Sequence, residues 1–186
     1  MKKILFVSKN KNKAKEVSEI LSFSNIQVVH QAHELEEIQS PDVKEVAKNK
    51  ALLAFKTFQQ PVLVEDTGLF IESMHGYPGS LIKHFIVAIG QQGIIDFLKD
   101  KNRYAKAVTS FAYCTAESDI ETFTGEKMGT ISEKITGESG FAWDTIFIPQ
   151  GYDKTYAQML PEEKNTLSQR KKALEKFNIW LASQNS

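Results

Sequence analysis

At 186 residues, with 41% hydrophobic and 25% charged side chains, the chain has an ordinary globular composition and a length suited to one domain. Its 23 basic and 23 acidic residues cancel, which argues against a stable nucleic-acid partner or an anionic membrane surface. The longest stretch without Asp, Glu, Lys or Arg has 14 residues (20–33), short of the ~20 apolar residues of a membrane span, and the one cysteine, Cys114, suits a reducing, cytoplasmic setting.

In chain order, residues 3–7 form a short apolar run that predicts a strand. A polar turn follows, then a helix with Ala14, Val17, Ile20 and Leu21 on one side, and a second strand over 26–29. Ser40-Pro41-Asp42 reads as an N-cap and a first-turn proline opening a helix that runs to about Phe58. Residues 61–64 predict a strand ending in Glu65-Asp66-Thr67-Gly68, and residues 79–98 predict one or two helices broken near Gly90 and Gly93. Residues 104–116 and 119–135 read as a strand pair, 141–148 as a further strand and 161–181 as one closing helix. Helices and strands alternate early and strands cluster in the middle, which predicts an α/β chain with a mixed sheet.

Four groups of residues could carry chemistry. The turn Ser8-Lys9-Asn10-Lys11-Asn12-Lys13 joins a strand to a helix, and six lysines without an acidic residue occur among residues 1–15. Such a run is often a solvated face, but a helix N-terminus offers free N–H groups and a positive dipole end that suit phosphate. Lys50 falls within the apolar stripe of Val43, Val46, Ala47, Ala54 and Phe58. It either snorkels outward or meets an anion in a cleft. Glu36-Glu37 and the strand-end Glu65-Asp66 supply carboxylate oxygens of the kind that hold Mg2+ beside phosphates, although Asp-Thr-Gly is also ordinary turn chemistry. Because neighbours on a strand face opposite ways, only one of Glu65 and Asp66 should enter a given cleft. In the C-terminal part, Phe141 and Trp143 share a face if their strand is regular. Lys164 and Arg170 accompany the apolar stripe of Leu167, Leu174, Phe177 and Leu181. Core packing and a base pocket both fit that pattern.

Taken together and in register, these pieces resemble the inosine triphosphate pyrophosphatase family over nearly the whole chain. The resemblance rests on Ser8-Lys9-Asn10-Lys11-Asn12-Lys13 with Glu16, on VEDTGLFIESMHGYPG at 64–79, and on Phe141-Ala142-Trp143-Asp144-Thr145. Further support comes from GYDKTYAQM at 151–159 and from Glu163-Lys164-Asn165 with Ser168-Gln169-Arg170. It implies hydrolysis of ITP, dITP and XTP to the monophosphate and pyrophosphate. On the residues themselves, a nucleotide-binding chain without turnover and a pyrophosphatase for modified pyrimidine nucleotides remain the alternatives.

The same resemblance implies site roles. Residues 8–13 would bind the triphosphate, Lys50 and Lys83 would reach phosphate oxygens, and Glu37 and Asp66 would hold Mg2+, with Asp66 also activating water. Thr67 and Ala142 would touch substrate, Phe141 would stack on the base, and Trp143, Asp144, Lys164, Gln169 and Arg170 would line its pocket. The implied fold is α/β, with an elongated mixed central sheet flanked by helices. Residues 1–186 would form one domain of two lobes with the active-site cleft between them, and the chain would pair as a homodimer. Three positions depart from the family pattern: Ala142 replaces a glycine, Thr145 a proline and Gln169 a histidine.

Overall fold

The protein was analysed as a computed structural model, which describes residues 2–24 and 26–184; Met1, Asn25, Asn185 and Ser186 lie outside the described residues. The strands are β1 (Lys2–Val7), β2 (Ile26–Gln31), β3 (Val62–Ile71), β4 (Pro78–Gly79), β5 (Tyr104–Ala116), β6 (Asp119–Ile131) and β7 (Phe147–Pro149). The helices are α1 (Lys11–Leu21), α2 (Val43–Phe58), α3 (Ile82–Phe97), α4 (Pro161–Leu167) and α5 (Gln169–Ser183). One mixed sheet runs β2-β1-β3-β5-β6-β7, with β4 added to β3. β1 pairs in parallel with β2 and β3, and the other pairings are antiparallel, as the expected mixed sheet requires. No described helix is long and apolar enough to cross a membrane.

Side-chain alternation builds the two faces of this sheet. Ile4 and Phe6 of β1 and Leu63 of β3 join the apolar sides of α1 (Ala14, Val17, Ile20, Leu21) and α5 (Leu174, Phe177, Leu181). Val7, Val62 and Val64 point the other way, onto Ala47, Ala51 and Ala54 of α2. A third cluster covers the far part of the sheet, where Leu69, Ile71, Ile94, Trp143, Phe147 and Tyr156 meet. Cys114 is buried, as its apolar surroundings suggest.

Several boundaries differ from the sequence expectation. The helix N-cap is Asp42, not Ser40: the Asp42 carboxylate accepts the Lys44 N–H at 2.8 Å, and α2 starts at Val43. Ser40 lies before the cap, where its hydroxyl donates to Glu45 at 2.6 Å. β3 does not stop at Val64. It pairs with β5 from Val62 opposite Cys114 to Ile71 opposite Ala105, so Glu65 to Gly68 are mid-strand residues and not a turn. α3 is broken at Gly90, with φ 69°, and passes through Gly93. β6 ends at Ile131.

Residues 141–146 are a turn, and only Phe147–Pro149 is strand. The Asp144 carboxylate accepts the Phe141 N–H at 2.8 Å and closes that turn, while Ala142 takes the left-handed φ of 56°. A glycine adopts such a φ without strain, so the alanine at 142 loads this turn. The closing helix is two helices. Ser168 is extended at φ −69°, ψ 159°, and its hydroxyl oxygen caps α5 by accepting the Lys171 N–H at 3.2 Å.

Candidate active site

A cleft of about 610 Å³ opens beside the β1–α1 turn, α2, the middle of β3, the start of α3, the 141–144 turn and the α4–α5 junction. Ser8, Lys9, Asn10, Lys13, Glu37, Lys50, Asp66, Thr67 and Lys83 line it. So do Phe141, Ala142, Trp143, Asp144, Lys164, Gln169 and Arg170. Lys11 and Asn12 do not; they sit in the exposed first turn of α1. Sequence reasoning missed His33, Glu34 and residues 80–82, which reach the cleft from segments without a recognisable local signal.

At the α1 end, the helix N-terminus is partly occupied by its own cap. Asn10 Oδ1 accepts the N–H groups of Asn12 and Lys13 at 3.0 and 3.2 Å, and Ser8 Oγ accepts that of Asn10 at 3.2 Å. The other positive groups here are lysine side chains, and both are paired. Lys9 makes an exposed pair with Glu34 at 2.7 Å, whereas Lys13 reaches inward to Glu65 at 2.8 Å.

In the middle, β3 alternation sends its two acids to opposite faces, as expected. Glu65 shares the α1–α5 face with Leu63, and Asp66 shares the α2 face with Val62 and Val64. Lys50 is buried and turned inward, which decides between the two readings of its position. Its Nζ donates to Glu37 Oε1 at 2.7 Å and lies 3.5 Å from Asp66 Oδ1. Asp66 Oδ2 is buried and has no hydrogen-bond partner. Burial pushes the Asp66 carboxyl up to about 6 despite the nearby Lys50 and Lys13. Burial also works against ionisation of Glu37, but Lys50 holds its carboxyl below the usual range.

No group of three or more His, Cys, Asp or Glu among the described residues could hold a metal ion by itself. The donor set is instead a carboxylate pair meeting at one ammonium, with an oxygen of Asp66 left over. That set suits a hard cation which takes one or two protein carboxylates and completes its shell with water and phosphate.

At the far end, Phe141 is half-buried, and Lys164 Nζ and the Arg170 guanidinium lie 4.8 and 5.7 Å from its ring centre. Trp143 does not share a strand face with it. Trp143 is buried against Phe147, edge to face at 5.4 Å, and belongs to the core beneath the turn. Lys164 donates to Asp144 at 2.7 Å and Glu16 at 2.8 Å. Arg170 grips Glu65 with Nε at 2.7 Å and Nη2 at 3.0 Å, bonds Glu16 through Nη1 and lies 3.4 Å from Thr67 Oγ1. Burial opposes these charges, yet the pairing holds Glu65 well below and Arg170 well above their usual ranges. Four of the five Arg170 N–H donors are therefore directed at protein acceptors and not at a base carbonyl. Glu16, overlooked as a site residue, is the link between Arg170 and Lys164. Its position three residues after Lys13 on α1 was the available signal.

Gly125 of β6 explains why α5 can deliver Gln169 and Arg170 here. A Cβ at Gly125 would strike the Gln169 carbonyl and the Ala173 nitrogen, so only a glycine lets the first turn of α5 sit this close to the sheet.

The model of the Ham1 family matches residues 4–180. A dITP/XTP pyrophosphatase of Methanopyrus kandleri is 40% identical over 179 residues, covering 96% of this chain and 95% of that protein. An inosine triphosphate pyrophosphatase of Scheffersomyces stipitis is 39% identical over 196 residues, covering 99% of this chain and all of that one. Among solved structures, a HAM1 protein from Coxiella burnetii superposes with a TM-score of 0.86 at 27% identity, over 98% of this chain and 100% of that chain.

Proposed function

The chain belongs to the Ham1 family, and we propose on that premise that it hydrolyses non-standard purine nucleoside triphosphates such as ITP, dITP and XTP to the monophosphate and pyrophosphate. The observation that carries the reading is one continuous cleft with cations at one end, a carboxylate pair on Lys50 in the middle and the Phe141 ring at the other. A triphosphate laid along it would place its charge by Ser8, Lys9, Asn10, Lys13, Lys50 and Lys83, and its base by Phe141. The cleft would separate two lobes of one domain. The resemblance adds a homodimer and a cytoplasmic location to the proposal.

In this reading, the lysines neutralise the triphosphate and fix its geometry, which is most of what phosphoryl transfer asks of a protein. Asp66 Oδ2 holds the attacking water and takes its proton. The water oxygen bonds to the α-phosphorus, the bridge between α- and β-phosphates breaks, and pyrophosphate leaves. Mg2+ held by Glu37 and Asp66 would supply further positive charge to the phosphates.

The test is a panel of ITP, XTP, dITP, GTP, ATP and pyrimidine triphosphates, with pyrophosphate release as the readout. Fastest turnover of ITP, XTP and dITP is expected. Preference for a pyrimidine, or tight ITP binding without any turnover, would replace the proposal. Release should stop in excess EDTA and return when Mg2+ is restored in excess over the chelator. Full activity in EDTA would remove the cation from the scheme.

Lys13→Ala and Lys50→Ala should each lower kcat/KM by at least ~10²-fold, the scale of one lost charge-stabilising group. Both should do so equally for ITP and ATP, since these side chains meet phosphate. A large change in base preference from either variant would show that its lysine faces the base.

A further inference from the structure

Gln169 is one of the positions where the chain departs from the family pattern, and a glutamine amide can read a base in two opposite ways. Turned one way it offers N–H donors; turned the other it offers a carbonyl acceptor. The neighbour that decides between them is Tyr156, a residue outside the roles assigned so far.

Tyr156 opens the short 3-10 turn Tyr156–Gln158 and is 1% exposed. Its ring is fixed between Phe147 and Trp143, with centroids at 5.1 and 6.3 Å. The turn is clamped as well. The Thr155 N–H donates to Gln158 Oε1 at 3.0 Å, and the Thr155 hydroxyl donates to the Thr136 carbonyl at 2.8 Å. From this rigid seat the Tyr156 hydroxyl donates to Gln169 Oε1 at 3.1 Å. The phenol has a single proton, and in this contact it goes to the amide oxygen. The Gln169 side chain borders the cleft, and no hydrogen bond among the described residues engages its Nε2.

Much of the acceptor capacity around this end is engaged. Asp144 Oδ2 accepts from the Phe141 N–H and Lys164, and Glu16 and Glu65 are held by Arg170 and its lysine neighbours. We propose that Tyr156 is a positioning residue for base selection, whose hydroxyl locks the Gln169 amide with its oxygen inward and its NH2 toward the cleft. A purine with an oxo group at position 6 then meets a donor, and a purine with an amino group there meets donor against donor.

This inference rests on the nucleotide reading above, and its test separates the two. Wild type, Tyr156→Phe, Gln169→Ala and the double variant are compared by kcat/KM for ITP and ATP. Equilibrium binding of IMP and AMP gives a ratio that does not need turnover. Tyr156→Phe should lower the ITP:ATP and IMP:AMP ratios roughly tenfold, the scale of one hydrogen bond lost or misdirected. In the Gln169→Ala background it should lower them no further, because Tyr156 acts through Gln169. A ratio unchanged by Tyr156→Phe, or lowered equally in both backgrounds, overturns the role of Tyr156 and leaves the enzyme reading intact. Wild-type protein that neither turns over ITP nor binds IMP overturns both.

Gln169→Glu covers the case in which Tyr156→Phe fails to fold. Tyr156 can still donate to one carboxylate oxygen while the other faces the cleft as an acceptor, so both ratios should fall below those of Gln169→Ala. Ratios equal to wild type in Gln169→Glu overturn the inference.

Discussion

Asp66→Asn is expected to lower turnover by at least ~10²–10⁴-fold, the contribution of a positioned general base, and to leave the fold intact. Asparagine has the same shape and keeps an oxygen for Lys50, so the geometry around β3 is preserved. What it loses is the charge on the oxygen that has no protein partner, the atom to which the proposed reaction assigns the water proton. The stability sign is opposite to the activity sign. Burial raises the Asp66 carboxyl from 3.8 to about 6, so at pH 7 the ionised form is less well tolerated in the folded chain than in the unfolded one. The variant should therefore melt no lower than wild type at pH 7, and any gain should vanish as pH falls below both values. Pyrophosphate release and a thermal melt measure the two effects separately. A variant with near wild-type turnover removes Asp66 from the reaction; one that is inactive because it is unfolded fails the second half of the expectation.

Arg170→Leu should cost about 3–5 kcal/mol of stability, the scale on which breaking a buried ion pair from one side is felt. The Arg170 and Glu65 side chains are each 1% exposed, and removal of the guanidinium leaves Glu65 with Lys13 and the Thr67 hydroxyl and takes one partner from Glu16. The exposed pair of Lys9 and Glu34, with both side chains 69% accessible, is the contrast; its loss should leave the unfolding midpoint nearly unchanged. The pH dependence follows from the sign of the Glu65 shift. Burial would raise this carboxyl, but Arg170 and Lys13 overcome it and hold it below its usual 4.5. The stabilisation is therefore complete above that value and is lost as pH falls through the depressed folded one. In urea unfolding, the gap between wild type and Arg170→Leu should be wide at pH 7 and narrow in acid. A gap below ~1 kcal/mol at pH 7 would mean that water reaches Glu65 and the pair is not a buried one.

What the sequence determined by itself was local. The spacing of Ala14, Val17, Ile20 and Leu21 marks the buried side of α1, and the strand spanning 104–116 is continuous as expected, because a period of burial is written into neighbouring residues. β-alternation already separated Glu65 from Asp66, and the ordered motifs already implied the family. Tertiary structure decided what depends on residues far apart in the chain. β3 continues through Glu65 to Ile71 because β5, some 40 residues later, supplies hydrogen bonds along its whole length. The 141–146 turn is closed by the Asp144 carboxylate where apolar alternation suggested a strand. Lys50 turns inward because Glu37 and Asp66 converge on it from two other segments, and Arg170 is held by Glu16 and Glu65 from much earlier in the chain. Periodicity reports which face of an element is buried; it carries no information on which charge from a distant element will be buried against it. A lysine or arginine within an apolar stripe can therefore be located in the sequence, but its partner is fixed only when the sheet brings the segments together.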